Sequence, residues 1–112
     1  VGLGFEFLKH LSRAKVLLHI VDALPADGSD PAENFLTIEN ELAKYDKDLA
    51  DKPRLLAINK MDLLPEDKRA QIAAKIVKSI QYTGKVFHIS ALNGLGCKEL
   101  IQGMFELIED RK

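Results

Sequence analysis

Cysteine and histidine are scarce in this 112-residue sequence. The single cysteine, Cys97, excludes an internal disulfide framework and is typical of a reducing compartment. One cysteine and three scattered histidines also show no spacing that would indicate a metal site. We therefore expect a cytoplasmic protein whose chain supplies no metal ligands.

Excess charge and long apolar runs are missing as well. Sixteen Lys and Arg residues oppose seventeen Asp and Glu residues, and the net charge of -1 does not indicate a nucleic-acid-binding face. The most apolar stretch, residues 16–21, is interrupted by His19 and is too short to cross a membrane. The opening residues 1–10 lack the apolar core of a signal peptide. We expect no membrane partner, and the sequence gives no direct signal for nucleic-acid binding. The basic residues Lys68, Arg69, Lys75 and Lys78 are interpreted as a solvated helix face, with a ribosomal RNA contact as the alternative.

What is present is typical of a globular domain. Apolar residues make up 46% of the sequence and charged residues 29%, close to the averages for folded proteins. No repeat, low-complexity tract or linker marks a second domain. The composition therefore predicts one domain over residues 1–112.

Hydrophobic spacing predicts alternating helices and strands. Short, nearly continuous apolar runs predict buried strands over residues 15–22, 54–59 and 85–90. Apolar residues three and four apart predict four helices. One begins at a cap at Asp30 and follows an apolar stripe that reaches Leu49, and the other three cover residues 5–13, 66–81 and 97–110. This order predicts an α/β fold, with three parallel strands in the order 1-2-3 and helices on both faces.

The first predicted strand carries an unusual feature for its position. Residues 16–21 are apolar apart from His19, as a central strand would be, yet the predicted order places this strand at an edge of the sheet. We therefore expect another strand to pair there, and the chain to be a piece of a larger domain.

Polar residues follow the second and third predicted strands. Asn59-Lys60-Met61-Asp62 comes after the second strand, and Ser90-Ala91-Leu92 comes after the third. Ligands of open α/β sheets bind beyond the carboxyl ends of the strands, and neighbouring strands lie about 5 Å apart. The two loops are therefore predicted to share one pocket.

These residue types suit a guanine base. The Asp62 carboxylate can accept both the N1–H and the N2–H of guanine, whereas adenine lacks these donors. The Lys60 stem can lie along the purine face, and the Asn59 amide can bridge the two loops and reach the base. In the other loop, the Ala91 N–H can donate to guanine O6 and the Ser90 hydroxyl can brace the turn. The alternative is a polar turn in which Asp62 lies near a helix start.

Asn-Lys-x-Asp followed by Ser-Ala-Leu resembles the fourth and fifth guanine-nucleotide motifs of P-loop GTPases. The opening residues 2–23 resemble one branch in particular, the Obg family of ribosome-associated GTPases. The resemblance covers essentially the whole chain and implies the second half of a Rossmann-like GTPase domain. The guanine-binding residues that it implies are Asn59, Lys60, Met61, Asp62, Ser90, Ala91 and Leu92.

Two other motifs of that family are absent from the sequence. The only Gly-Lys pair, Gly84-Lys85, is followed by Val86 and does not fit the phosphate-loop pattern, and no Asp is followed by Gly three residues later. We therefore assign no catalytic residue and no Mg²⁺ ligand to this chain. The resemblance implies that the intact protein binds GTP and GDP with Mg²⁺, hydrolyses GTP and acts in assembly of the large ribosomal subunit. It also implies that a guanosine tetraphosphate alarmone can share the site.

Two other functions remain open at this point. The missing phosphate loop favours a non-enzymatic α/β interaction module that retains a relic of a nucleotide pocket. A receiver-like domain with Asp22 as phosphate acceptor is disfavoured, because Glu6 is the only acidic residue among residues 1–21. A structural capping role is the preferred interpretation of Asp22, and packing is the preferred interpretation of Cys97.

Overall fold

Five helices and three strands make up the fold in the computed structural model, which describes residues 4–110. The helices are α1 Phe5–Leu11, α2 Pro31–Tyr45, α3 Lys47–Ala50, α4 Arg69–Ile80 and α5 Cys97–Asp110. The strands are β1 Leu17–Asp22, β2 Arg54–Asn59 and β3 Val86–His88. Part of the opening Gly-Leu-Gly, residues 2–3, lies outside the described residues.

The sheet has the predicted topology. Its strands run parallel in the order β1-β2-β3, with α2 and α4 packed on one face and α5 on the other. The register aligns Leu17 with Arg54 and Asp22 with Asn59, so β1 and β2 end side by side. The α/β class and the parallel order predicted from the sequence are therefore confirmed.

The middle strand, β2, forms the centre of the core. Its residues 55–58 are all buried. Leu56 and Ile58 pack with side chains of α2 and α4, whereas Leu55 and Ala57 pack with side chains of α5. Each large aliphatic side chain buried in this way contributes roughly 1.5–3 kcal/mol. The strand that ends at Asn59 is therefore held firmly on both faces.

β1 is less buried than its sequence predicts. Leu17 and Val21 are buried, but Ile20 is 49% exposed. The prediction that this strand is buried on both faces is therefore wrong for the described residues. Beside the strand lies an apolar groove of about 350 Å³, whose lining includes Phe7, Leu11 and Ile20.

The second helix ends earlier than its apolar stripe predicts. It stops at Tyr45, because Asp46 adopts an extended backbone conformation and its carboxylate accepts the N–H of Asp48 at 3.0 Å. This cap starts the short helix α3, which still buries Leu49 against Leu42. The stripe therefore predicts burial correctly but not the continuity of the helix.

Other predicted boundaries shift by a few residues. The helix predicted over 66–81 begins as a 3₁₀ turn, Glu66–Lys68, before α4. β3 is shorter than the predicted 85–90, although the Ile89 N–H still donates to the Ile58 carbonyl at 2.9 Å. The N-terminal cap of α2 is present, since Asp30 accepts the Glu33 N–H at 3.3 Å.

No helix among residues 4–110 has the length and apolarity to cross a bilayer.

A charged cluster ties β1, α2 and β2 together on the side of the sheet covered by α2. The Arg54 guanidinium donates to both carboxylate oxygens of Glu39 and to the carbonyl of Ala50. His19 Nδ1 lies 2.8 Å from Glu39 Oε2, and the His19 ring stacks on Phe35. Burial raises the pKa of Glu39, but the His19 hydrogen bond and the Arg54 charge outweigh it, so the net pKa is lowered.

We expect Glu39→Gln to lower the free energy of unfolding near neutral pH. A carboxyl whose pKa is lowered by folding stabilises the protein above its unfolded pKa and loses that effect as pH falls through its folded pKa. The stability difference between wild type and variant should therefore shrink as pH drops below about 4.5, the ordinary value for this group. Urea unfolding across this range measures the difference, with Glu41→Gln on the same helix as control. A stability difference between wild type and Glu39→Gln that does not change with pH would contradict a lowered pKa for Glu39.

The turn after β3 depends on a glycine. Gly96 has a φ of +71°, and a Cβ at this position would collide with the His88 carbonyl oxygen. Gly94, with a φ of +86°, has open space around the same position.

We expect Gly96→Ala to lower the free energy of unfolding by more than ~2 kcal/mol, because backbone atoms must move. Gly94→Ala should cost about 1–2 kcal/mol from its dihedral angle alone. If chemical denaturation gives the same loss of unfolding free energy for both variants, the close contact with His88 is unimportant.

Candidate functional site

A small pocket of about 150 Å³ opens at the carboxyl edge of the sheet. It lies between the chain that follows β2 and the turn that follows β3. Typical ligand sites measure roughly 300–1,000 Å³, so this pocket suits one flat ring rather than a whole nucleotide. Its lining residues are Asn59, Lys60, Asp62, Leu63, Ser90 and Leu92.

Asn59 joins the ends of neighbouring segments through its side-chain amide. Its Oδ1 accepts the Ala91 N–H at 2.9 Å, and its Nδ2 donates to Asp22 Oδ1 at 3.2 Å. The bridge between the two loops is thus present, and it extends to the end of β1 as well. Because Asn59 ends the buried strand β2, this bridge is anchored in the core.

Asp62 brings an uncommitted carboxylate to the pocket. It lies in the 3₁₀ turn Met61–Leu63 and is half-buried. Within residues 4–110, its carboxylate forms neither a hydrogen bond nor an ion pair. A half-buried carboxylate without a partner is available to accept hydrogen bonds from a ligand.

Lys60 is held by the neighbouring strand. Its Nζ lies 3.2 Å from Asp22 Oδ2. Its backbone is left-handed, with a φ of +67° and a ψ of 28°, which costs a non-glycine residue about 1–2 kcal/mol. This conformation turns the chain directly from β2 into the 3₁₀ turn that carries Asp62.

Two residues differ from the roles predicted for them. The Met61 side chain is fully buried in the core and so does not line the pocket, although its N–H ties the loop to the Ile89 carbonyl at 3.1 Å. Ser90 is 1% exposed, and its hydroxyl has no hydrogen-bond partner within the described residues. The prediction that this hydroxyl braces the turn is wrong here. The Ser90 backbone braces it, through the Leu95 carbonyl and the Gly94 N–H.

The Ala91 N–H is also engaged differently from the prediction. It donates to Asn59 Oδ1 and is therefore not available to a base oxygen while that bond lasts. The next residue, Leu92, is 92% exposed, and its N–H forms no hydrogen bond with the part of the chain described. The turn thus offers an N–H beside the pocket, one residue later than predicted.

Asp22 is the member of the site that the sequence motifs do not single out. A capping role is predicted for it, but its carboxylate contacts Asn59 and Lys60 instead. The parallel register could have identified Asp22 as part of the site, because the residue that ends β1 lies beside the residue that ends β2. Cys97, predicted to pack, lies near the site with its Sγ 3.8 Å from the Ser90 carbonyl oxygen.

Within the described range 4–110, no three or more His, Cys, Asp or Glu side chains are grouped so that they could hold a metal ion.

Sequences similar to this chain occur among known proteins. No family model matches the chain. "GTPase Obg" of Vesicomyosocius okutanii subsp. Calyptogena okutanii (strain HA) is 67% identical over 107 residues, which is 96% of this chain and 32% of that protein. "GTPase Obg" of Ruthia magnifica subsp. Calyptogena magnifica is 62% identical over all 112 residues, or 33% of its length. The chain thus spans about a third of the length of these relatives.

Solved structures share the fold. A crystal structure of Era in complex with MgGDPNP and nucleotides 1506–1542 of 16S ribosomal RNA matches with a TM-score of 0.64 and 27% identity, over 88% of this chain and 30% of that one. A single-residue variant of Aquifex aeolicus Era bound to GDP·AlF4⁻ matches in fold alone, with a TM-score of 0.58 and 23% identity, over 88% and 31% of the two chains. The two Obg relatives show that this chain belongs to the Obg family.

Proposed function

We propose that this chain supplies guanine recognition to a GTP-binding protein of the Obg family. The observation that carries the proposal is the carboxylate of Asp62, unpartnered among the described residues, in the same pocket as Ser90 and Leu92. Two carboxylate oxygens match the adjacent N1–H and N2–H donors of guanine, and such charge-assisted pairs are strong. Adenine has neither donor, so it would leave the carboxylate unpaired at a cost of about 1–3 kcal/mol or more.

Other groups of the pocket support a purine ring. The aliphatic stem of Lys60 can cover one face of the base while its ammonium stays at Asp22. The guanine O6 needs a donor from the turn after β3. The Leu92 N–H has no acceptor among the described residues and is free to donate, whereas the Ala91 N–H must first leave Asn59. The buried Ser90 hydroxyl lacks an acceptor among the described residues, and a bound base could provide one.

For the intact protein, we propose binding and hydrolysis of GTP with Mg²⁺. This rests on the Obg relatives and on the Era complex that contains MgGDPNP. The sequence contains no phosphate-loop motif, so the chemistry of phosphoryl transfer is assigned to parts of the protein other than these 112 residues. In this proposal the chain is a partial guanine-nucleotide-binding domain that selects the base.

The cellular role is proposed from family likeness. Ribosome-associated action in assembly of the large subunit, in the cytoplasm, is what membership of the Obg family implies. The similar Era structure contains a segment of 16S ribosomal RNA, which supports a ribosomal setting but concerns that protein. A guanosine tetraphosphate alarmone would compete for the same pocket through its base.

A second candidate function is a non-enzymatic interaction module, favoured by the absence of a phosphate-loop motif from the sequence. Calorimetric titration of the chain with guanosine, GDP and adenosine separates the two. Weak binding of guanosine and GDP without binding of adenosine supports base recognition. Binding of none of the three leaves the interaction module as the function of this chain.

We expect Asp62→Asn to weaken GTP binding by about tenfold or more and to shift preference toward XTP. Xanthine carries a carbonyl in place of the guanine amine, and an amide side chain can donate to it where a carboxylate cannot. Competition between GTP and XTP for the intact protein measures the preference.

Asp67→Asn is the matched control, because Asp67 lies on the exposed 3₁₀ turn Glu66–Lys68 and does not line the pocket. It should leave both affinities unchanged. A GTP preference that survives Asp62→Asn would remove Asp62 from base recognition.

A further inference from the structure

Both carboxylate oxygens of Asp22 contact residues of the motif Asn59-Lys60-Met61-Asp62. Oδ1 accepts from Asn59 Nδ2 at 3.2 Å, and Oδ2 lies 3.2 Å from Lys60 Nζ. The register places Asp22 directly beside Asn59 at the edge of the sheet. Two consecutive residues of the motif thus converge on one side chain from the neighbouring strand.

The contact with Asn59 selects one orientation of its amide. The Ala91 N–H requires an acceptor, and the Asp22 carboxylate requires a donor. Only the orientation with Oδ1 toward Ala91 and Nδ2 toward Asp22 satisfies both. A flipped amide would place its oxygen against a carboxylate oxygen and its NH₂ against an N–H, so Asp22 disfavours the flip.

The contact with Lys60 keeps a cation away from Asp62. Lys60 and Asp62 line the same pocket and are two residues apart, yet the ion pair forms between Lys60 and Asp22. Without Asp22, Lys60 can pair with Asp62, which shares this pocket, or with Asp27, which shares a second pocket with Lys60 and is bonded to Ser29. An ammonium at Asp62 would compete with the N1–H and N2–H of the base.

We propose that Asp22 is a positioning residue for base recognition, which orients Asn59 and holds Lys60 so that the Asp62 carboxylate stays open to guanine. This inference rests on the proposed function, because it assigns Asp62 to the base. It makes Asp22 a specificity determinant contributed by β1, outside both sequence motifs.

Asp22→Asn separates the two contacts. The variant keeps an oxygen that can accept from Asn59 but loses the charge that holds Lys60. We expect the affinity of the intact protein for GDP to fall several-fold and its affinity for IDP to fall less, because inosine lacks the amine that Asp62 accepts. The ratio of the two affinities therefore falls. Asp22→Ala also loses the Asn59 contact, and its GDP affinity should fall by about tenfold or more.

A double-mutant cycle with Lys60→Met tests whether Asp22 acts through Lys60. When no ammonium remains to reach Asp62, Asp22→Asn should leave the GDP to IDP ratio unchanged. Asp67→Asn removes a charge from the exposed turn Glu66–Lys68, away from Lys60 and the pocket, and serves as the matched control. Thermal unfolding of every variant reports any loss of fold.

The ratio of GDP affinity to IDP affinity separates the outcomes. A lower ratio in Asp22→Asn that disappears in the Lys60→Met background supports the inference. An unchanged ratio, or equal losses for GDP and IDP that follow thermal stability, overturns it and leaves Asp22 with a structural role. If the wild-type protein itself does not prefer GDP to IDP, the assignment of Asp62 fails first, so the two failures are distinguishable.

Discussion

The site depends on one side-chain amide at the end of the central strand. Asn59 accepts a hydrogen bond from the turn after β3 and donates one to the end of β1. It thereby holds three segments at a common edge and sets the separation between the Asp62 turn and the Ser90–Leu92 turn. Each such bond is worth only about 1 kcal/mol net, so its importance lies in geometry more than in stability.

The fold makes this amide effective because it gives Asn59 a rigid base. Residues 55–58 are buried between helices on both faces of the sheet, and the Met61 N–H and side chain then lock the following turn. Gly96 lets the turn after β3 approach the His88 carbonyl closely. Rigid strands and tight turns hold the pocket open, whereas β1 remains partly exposed at its outer edge.

Most of the fold could be predicted from the sequence, because apolar periodicity records burial directly. β2 is observed over the predicted residues 54–59, and α5 over the predicted 97–110. Periodicity failed at Asp46, where the same apolar stripe continues through a break that a local side-chain cap produces. It also failed for Ile20, whose exposure depends on what packs over its side chain and not on its own residue type.

The site was predictable only in part, since residue types do not specify hydrogen-bond partners. The two motifs indicate which loops meet, and the structure brings them to one pocket. The choice of Asn59 as partner for the Ala91 N–H, the unpartnered Ser90 hydroxyl and the double contact of Asp22 all depend on tertiary geometry within the described residues. The structure therefore adds Asp22 to the site and moves Met61 into the core.

The most direct test of base recognition at this edge is the NMR response of the intact protein to GDP. We expect shifts in the side-chain amide of Asn59 and the backbone amides of Asp62 and Leu92 with GDP, and none of these with ADP. Shifts of equal size with both nucleotides, or shifts confined to the His19 and Arg54 region on the α2 side of the sheet, would contradict it.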